Sequence, residues 1–465
     1  MKLTTSFAAA IIAASATVYG APAQEAQYDR RLLGLLSNNG NGKGNNWLNG
    51  LLGEIANIIQ VPISALPKVQ KKSIVSSWNW KKYGKAKGRG SSKPIPWSTK
   101  GNSESWKTFK GNGVNLGGWM ELEAGQQPQV FALAPGSPDE WTLCQRLGDQ
   151  CGPVLENHYQ TWYTKADIDK LAKYGINILR VPTTYQAWID LPGSQLYHGN
   201  QQQYLADLLD YAAGTHNMKV IIGLHSLPGG VNSLDIGEAF GHKDWFYNAT
   251  NFDYSMLAVN NTMAWINQRP QKVAFSLSPI NEAGDDLSVF GTPNTLSTNA
   301  TAWVATYFKT VYASIQKNSP GTYMVLQDCF SGTSYWSSLF DAGNDIVFDS
   351  HVYYFAAAGV YANYAAPAIC GQAASLPDKK FPVFVGEWSL QTNFNNTLDG
   401  RKLLLQTQQY AWAKYVSGGT FWSAKFNGTN AVDGEGTQKD YWTYLDFIDE
   451  GLVNEGGKLD AVYCS

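Results

Sequence analysis

Eight short β-prone runs, separated by helical stretches, follow one another from residue 112 onward. Alternation of strand and helix implies parallel strands joined by crossover helices. Eight such units predict a closed (β/α)8 barrel, an α/β fold of the TIM-barrel type. The predicted strands cover residues 112–117, 176–181, 219–224, 273–279, 322–327, 345–351, 381–386 and 419–424. The predicted helices cover residues 165–174, 200–215, 253–268, 297–317 and 401–416.

A doubly wound open sheet is the competing fold for this alternation. That fold usually carries a glycine-rich phosphate loop with the spacing GxGxxG after its first strand. The corresponding stretch here, "GVNLGGW", lacks the spacing. The sequence therefore favours the closed barrel, in which a site would lie at the carboxyl ends of the strands.

The chain before the barrel has a different character. Residues 1–23 are typical of a secretory signal peptide, with Lys2 before an apolar stretch and small residues at Ala21 and Ala23. Residues 24–110 form a predicted low-complexity N-terminal arm, flexible or a pro-segment, rich in Gly, Asn and Lys. The catalytic domain is predicted to cover residues 111–465. We expect an exported, soluble protein with no membrane span, located extracellularly or at the cell wall.

Cysteines and glycosylation sequences agree with an oxidising compartment. Cys144 and Cys151 are close enough to close a loop, and Cys464 can tether the tail to Cys370, which would leave Cys329 free. The spacing does not fix this connectivity. Acceptor sequences for N-linked glycans occur at Asn248, Asn260, Asn299, Asn395 and Asn427.

Polar residues gather at the ends of the predicted strands, where a barrel would place its chemistry. In chain order they are Arg180, His225, Asn281, Glu282, His351, Tyr353, Glu387 and Trp422. Each residue alone has a structural explanation, but their common position on one rim favours a catalytic site. Glu282 and Glu387 form the pair of carboxylic acids that glycoside hydrolysis requires, one as proton donor and one as nucleophile or base. Aromatic residues make up 13% of the chain, which also favours sugar binding.

These motifs resemble glycoside hydrolase family 5, a family of retaining (β/α)8 enzymes with catalytic carboxylates on strands four and seven. "GVNLGGWMELE" is further similar to the fungal exo-β-1,3-glucanases of that family. The resemblance implies that Glu282 of "NEA" is the acid/base and Glu387 of "GEW" the nucleophile. It implies that Arg180 keeps Glu387 ionised and that Asn281 hydrogen-bonds the sugar 2-hydroxyl.

The same resemblance implies the remaining substrate contacts. Two acids, Glu123 and Asp235, would hold the terminal glucose. Three further residues would line the cleavage subsite, namely His225, His351 and Tyr353. Trp422 is the remaining candidate for the sugar platform of strand eight. The chain departs from the family pattern at Ala283, which follows the acid/base in place of proline, and at Ala424, which replaces a tryptophan platform of strand eight. The loop after strand five also departs, reading "LQDCF".

The sequence thus predicts a secreted retaining β-glycosidase that releases glucose from the non-reducing ends of β-1,3-glucan. A rutinosidase-like β-diglycosidase and a β-1,6-glucanase are alternatives with the same catalytic pair, and a non-catalytic carbohydrate-binding protein is the alternative outside the enzymes. No metal or other cofactor is expected, because two carboxylates suffice and the six histidines show no HExxH spacing. The expected partner is a β-glucan or β-glucoside substrate, and the protein is expected to be a monomer. Binding to nucleic acid is not expected, because the body of the chain is acidic.

Overall fold

The computed structural model describes residues 96–99, 101–356 and 360–464. Within them, eight parallel strands close into a barrel in chain order, and the last strand pairs with the first. The strands are β1 Gly111–Asn115, β2 Ile178–Thr183, β3 Lys219–Leu224, β4 Phe275–Ser278, β5 Met324–Gln327, β6 Ile346–Val352, β7 Val383–Trp388 and β8 Gly418–Phe421. The predicted (β/α)8 fold is confirmed. The predicted signal peptide and most of the arm lie outside the described residues.

Helices connect successive strands. They are α1 Pro128–Phe131, α2 Glu140–Leu147, α3 Cys151–Thr161, α4 Lys165–Lys173, α5 Gln201–Thr215, α6 Ala249–Asn267, α7 Thr298–Asn318, α8 Thr333–Ser337, α9 Ala362–Ser375, α10 Arg401–Tyr415, α11 Lys439–Trp442 and α12 Tyr444–Asp449. In α5 the buried residues Leu205, Leu208, Leu209 and Ala212 recur at helical spacing, so one face packs inward. Helix α4 begins with a capping box between Thr164 and Asp167, which satisfies free backbone N–H groups.

The floor of the barrel is closed by residues that precede the first strand. Trp106 and Phe109 are almost fully buried, and the Trp106 Nε1–H donates to Ser276 Oγ at 3.1 Å. They pack against inward-facing residues from five strands: Ile178, Ile221, Val325, Val347 and Phe384. Residues 101–110, which the sequence places in the arm, therefore contribute to the barrel core.

We expect Trp106→Ala to lower the free energy of unfolding by about 3–5 kcal/mol, because it leaves a large cavity in the floor. Chemical denaturation measures this loss. Tyr335→Ala is the control, since Tyr335 is 52% exposed and its removal should change stability far less. Equal losses for both variants would mean that Trp106 does not seal the barrel.

Two disulfides link Cys144 to Cys151 and Cys370 to Cys464, and Cys329 is a buried free thiol. This matches the pairing suggested by the sequence. The second bridge ties the C-terminus to α9, across 94 residues of chain. None of the described helices has the length and apolar character needed to cross a membrane.

Candidate active site

Glu387 lies at the carboxyl end of β7 and is 5% exposed. Its Oε1 accepts a hydrogen bond from Arg180 Nη1 at 2.6 Å, and its Oε2 accepts one from Tyr353 Oη at 2.9 Å. The pKa of Glu387 is raised, because burial outweighs the lowering effect of the positive charges of His351 and Arg180. The cost of burying a carboxylate at the end of an apolar strand is thus offset by hydrogen-bond donors from β2 and from the segment after β6.

The glycine before Glu387 has a specific structural reason. The Gly386 N–H donates to Asp349 Oδ1 at 2.7 Å, and a Cβ at this position would lie 2.0 Å from that oxygen. Asp349 is fully buried on β6, and its other oxygen lies 3.4 Å from Arg180 Nε. Asn115 on β1 completes the support, accepting from Arg180 Nη1 at 3.0 Å and donating to Gly386 O at 2.8 Å. Arg180 is therefore held from three sides.

Glu282 follows β4 and has a φ of 46°, in the left-handed region that few non-glycine residues adopt. Asn232 Nδ2 donates to the Glu282 carbonyl at 3.1 Å and supports this backbone. The side-chain Oε1 of Glu282 lies 2.6 Å from His351 Nδ1. A carboxylate oxygen of Glu282 lies within 4.8 Å of one of Glu387. The fold thus brings together two glutamates that are distant in sequence. Strained backbone at such a position is a feature of functional sites.

His351 lies between the two glutamates. Its Nδ1 is also 3.5 Å from Glu387 Oε2, and its Nε2 is 3.6 Å from Asp349 Oδ2. Burial lowers the pKa of His351, but the Glu387 and Asp349 carboxylates and its hydrogen bonds outweigh this and raise it to about 10. Glu282, His351 and Glu387 are close enough to share a metal ion. A protonated imidazole has no free lone pair, however, so hydrogen bonding organises this cluster better than metal coordination does.

The His351 pKa predicts a loss of stability in alkali. The pKa of His351 in the folded protein lies above the ordinary value of about 6.5, so protonation of His351 stabilises the folded state. This contribution is complete below about pH 6.5 and is lost as the pH rises through about 10. We expect the difference in unfolding free energy between wild type and His351→Asn to shrink from pH 6.5 to pH 10. Denaturation across this range measures it. A difference that stays constant would mean that His351 is neutral in the folded protein.

His225 and Trp422 form another side of the site. Their rings stack at a centroid distance of 5.9 Å and an angle of 17°. His225 Nε2 is 3.9 Å from Glu387 Oε1, and its Nδ1 is 3.1 Å from Glu121 Oε2. Burial, with Arg180 and His351 nearby, lowers the pKa of His225 well below its ordinary value. This histidine is therefore neutral, unlike His351.

Glu123 and Asp235 come from the loops after β1 and β3, and both are partly exposed. Desolvation raises the pKa of Glu123 well above its usual value, and the carboxylates of Asp235, Glu387 and Glu282 raise it further. Desolvation also raises the pKa of Asp235 to about 6. These interactions indicate that Glu123 lies near the glutamate pair and that Asp235 lies near Glu123.

Aromatic rings line the side of the site next to Tyr353. Tyr353 stacks on Trp442 at 5.5 Å and 25°, and Phe355 packs against both rings. Trp442 is anchored by its Nε1–H, which donates to Gln391 Oε1 at 2.7 Å. Ala424 is fully buried, and its N–H donates to Asn115 O at 2.9 Å, so this position offers no surface to a sugar.

The residues predicted from the sequence thus gather around the carboxyl ends of the strands. Asn281 joins them, its Oδ1 accepting from Arg180 Nη2 at 2.9 Å. Sequence reasoning missed Asn115, Asp349, Glu121 and Trp442. Asp349 carried a detectable signal, because a charged residue inside an apolar strand must have a buried partner.

A parallel eight-stranded barrel with two buried glutamates facing each other at its mouth defines a (β/α)8 glycoside hydrolase. The family model "Cellulase (glycosyl hydrolase family 5)" matches residues 148–428, more than half of the chain. The chain belongs to glycosyl hydrolase family 5, as the resemblance predicted.

Two kinds of relatives are similar to this chain. The crystal structure of rutinosidase from Aspergillus niger is 47% identical, with a TM-score of 0.74, over 76% of this chain and 99% of that one. A probable glucan 1,3-beta-glucosidase A from Neosartorya fischeri is 30% identical over 60% of this chain and 64% of its own length. Its counterpart from Aspergillus fumigatus is 30% identical over 64% of this chain and 70% of its own length. The chain thus spans about two thirds of the curated relatives it matches.

Proposed function

We propose that this chain is a secreted, retaining β-glycosidase of the rutinosidase kind, which releases an intact disaccharide from a flavonoid glycoside. The observation that carries the substrate choice is the match to a rutinosidase at 47% identity over 99% of that chain. The glucan 1,3-beta-glucosidases match at about 30% and over about two thirds of their length. The proposal therefore favours the diglycosidase alternative over the release of single glucose units.

In the proposed mechanism, Glu387 is the nucleophile. Retaining enzymes hold their two carboxyl groups about 5–5.5 Å apart, whereas inverting enzymes leave about 6.5–9.5 Å for a water molecule. One oxygen of Glu282 lies within 4.8 Å of one oxygen of Glu387, and this close approach supports the shorter class. Arg180 and Tyr353 donate to the two oxygens of Glu387, which favours its ionised form and orients it towards the anomeric carbon.

Glu282 is the proposed acid/base. Its Oε1 is occupied by His351, so Oε2 is the oxygen available to carry a proton to the departing glycosidic oxygen. When the covalent sugar–enzyme ester forms, the charge on Glu387 disappears, and Glu282 can then remove a proton from the attacking water. Asn281, whose Oδ1 accepts a hydrogen bond from Arg180 Nη2, is the proposed partner of the sugar 2-hydroxyl.

Ala424 supports a substrate other than the glucan of the exo-glucanases that the sequence resembles. Those enzymes carry a tryptophan platform at this position, and here the position is a buried alanine. Trp422 and Trp442 remain as the aromatic surfaces beside His225 and Tyr353.

Exo-hydrolysis of β-1,3-glucan is the second candidate. It is favoured by the names of the glucan 1,3-beta-glucosidase relatives. It is also favoured by Glu123, an acid near the glutamate pair, and by Asp235 beside it, since both can accept hydrogen bonds from a terminal glucose. Both candidates share the catalytic pair, so only the products distinguish them.

Product analysis on rutin, laminarin, β-1,6-glucan and cellulose tests the proposal. We expect the highest kcat/KM on rutin, with one disaccharide released per aglycone and the β-anomer formed first by NMR. Glucose as the main product from laminarin, with little activity on rutin, would favour the second candidate. An α-anomer as first product would contradict the retaining mechanism. Secretion from a fungal host tests the proposed export.

A further inference from the structure

An aromatic depression lies on the surface formed by α7 and the loop that precedes α6. It has a volume of about 430 Å³ and is lined by Tyr247, Asn299, Ala302, Trp303 and Thr306. This volume falls within the range of small-ligand sites. The depression shares no residue with the catalytic site described above, so the proposed mechanism does not explain it.

Tyr247 is held in this depression by unusual backbone geometry. It has a φ of 61°, which is rare for a bulky residue, and the residue is 54% exposed. Its neighbour in sequence, Phe246, is buried, so packing explains one ring but not the other. Strained backbone that presents an aromatic ring to solvent points to an occupant that covers the ring.

Trp303 forms the floor of the depression. Its ring packs edge-on against Phe252 at 5.3 Å and Trp245 at 6.2 Å, and lies 5.9 Å from Tyr247. These contacts fix the indole from the protein side and leave the remaining surface to line the depression. The tryptophan is therefore a rigid, preorganised platform, which reduces the entropy lost on binding.

Asn299 stands one helical turn before Trp303 on the same face of α7, because residues four apart are neighbours on a helix surface. Asn299-Ala300-Thr301 is an acceptor sequence for N-linked glycans, and Asn299 is exposed. We propose that Asn299 carries an N-linked glycan whose first N-acetylglucosamine covers Trp303 and Tyr247.

Covalent attachment makes a weak sugar–aromatic contact sufficient. The sugar ring is held at a high effective concentration above the indole, so it needs little affinity of its own. Covering the two rings removes apolar surface from water, which stabilises the folded protein. The proposal rests on export of the chain but not on its substrate, so it can fail independently of the proposed function.

Asn248 is the competing acceptor, because it follows Tyr247 directly. Its Oδ1 accepts from Asn251 N at 3.1 Å and caps α6, and it does not line the depression. Asn260 is less suitable, since Thr262 of its acceptor sequence is fully buried and donates to Ala258 O. Of these three sites, only Asn299 lies within the depression itself.

Glycopeptide mass spectrometry of the full chain, secreted from a yeast host, tests the modification. We expect a glycan on Asn299 and its loss in Asn299→Gln. Endoglycosidase H, which leaves one N-acetylglucosamine, should not change the melting temperature. Asn299→Gln should lower it by about 2–4 °C. An unmodified Asn299, or a glycan on Asn248 alone, would overturn the proposal.

A double-mutant cycle tests the contact with the rings. The decrease in melting temperature caused by Asn299→Gln should nearly vanish in a Trp303→Leu background. It should also nearly vanish in a Tyr247→Asn background, because this substitution removes the ring and asparagine tolerates a positive φ. Asn427→Gln is the control, because its neighbour Phe426 is already buried. The change in melting temperature caused by Asn427→Gln should be the same in either background as in the wild type. An Asn299→Gln loss of the same size in both ring variants would mean that the glycan does not touch them.

Discussion

Replacing Glu387 with glutamine is expected to reduce hydrolysis by at least about 10⁴-fold while the barrel stays folded. The amide has the shape of the carboxylate, and its single oxygen can still accept from Arg180 while its NH2 group donates to the Tyr353 hydroxyl, but it cannot form the covalent ester. Arg180 retains Asp349 as a buried partner, so the loss of one charge should destabilise but not unfold the protein. The measurement is kcat/KM on an aryl glycoside and on rutin.

The matched control is Glu140→Gln. Glu140 is also buried, and burial raises its pKa to about 8, so at neutral pH glutamine resembles its protonated form. It accepts from Leu122 N at 2.8 Å, outside the proposed reaction. We expect this variant to keep nearly full turnover. Near wild-type turnover in Glu387→Gln instead would remove Glu387 from the mechanism.

The strand pattern was predictable because a buried parallel strand requires a continuous apolar run. β3 was predicted at its observed bounds, and the ends of the other strands differ from the prediction by up to three residues. Helix α9 was missed, since two residues that disfavour helices, Pro367 and Gly371, both lie inside it. A proline removes one backbone hydrogen bond, and here packing of Ala365, Ile369 and Ala373 against the core outweighs that cost.

The site was predictable where chemistry follows the strand ends, as for Arg180 and Glu387. Asn115 and Asp349 escaped prediction because they act through Arg180 and Gly386, which are distant in sequence. Only the closed barrel, with β1, β6 and β7 around Arg180, brings these groups together. Trp442 escaped for another reason: it lies on a short helix after β8, outside any repeated pattern.

Glu282→Ala is expected to distinguish the acid/base from the nucleophile. Hydrolysis of rutin should fall by about 10²–10⁴-fold, because the departing oxygen receives no proton. A nitrophenyl glycoside needs little protonation, so its first step should remain fast and the covalent intermediate should accumulate. A burst of nitrophenol followed by slow turnover would reveal this, measured by rapid mixing.

Azide should then restore turnover in Glu282→Ala, because it needs no general base and fits the space left by the missing side chain. Two successive inversions at one carbon give retention, so the product should be the β-glycosyl azide. Glu387→Ala, which cannot form the intermediate and leaves space on the opposite face of the sugar, should instead let azide attack the substrate directly to give the α-azide. An α-azide from Glu282→Ala would therefore mean that Glu282 is the nucleophile and Glu387 the acid/base, or it would contradict the covalent mechanism. The short separation between Glu282 and Glu387 favours the β-product.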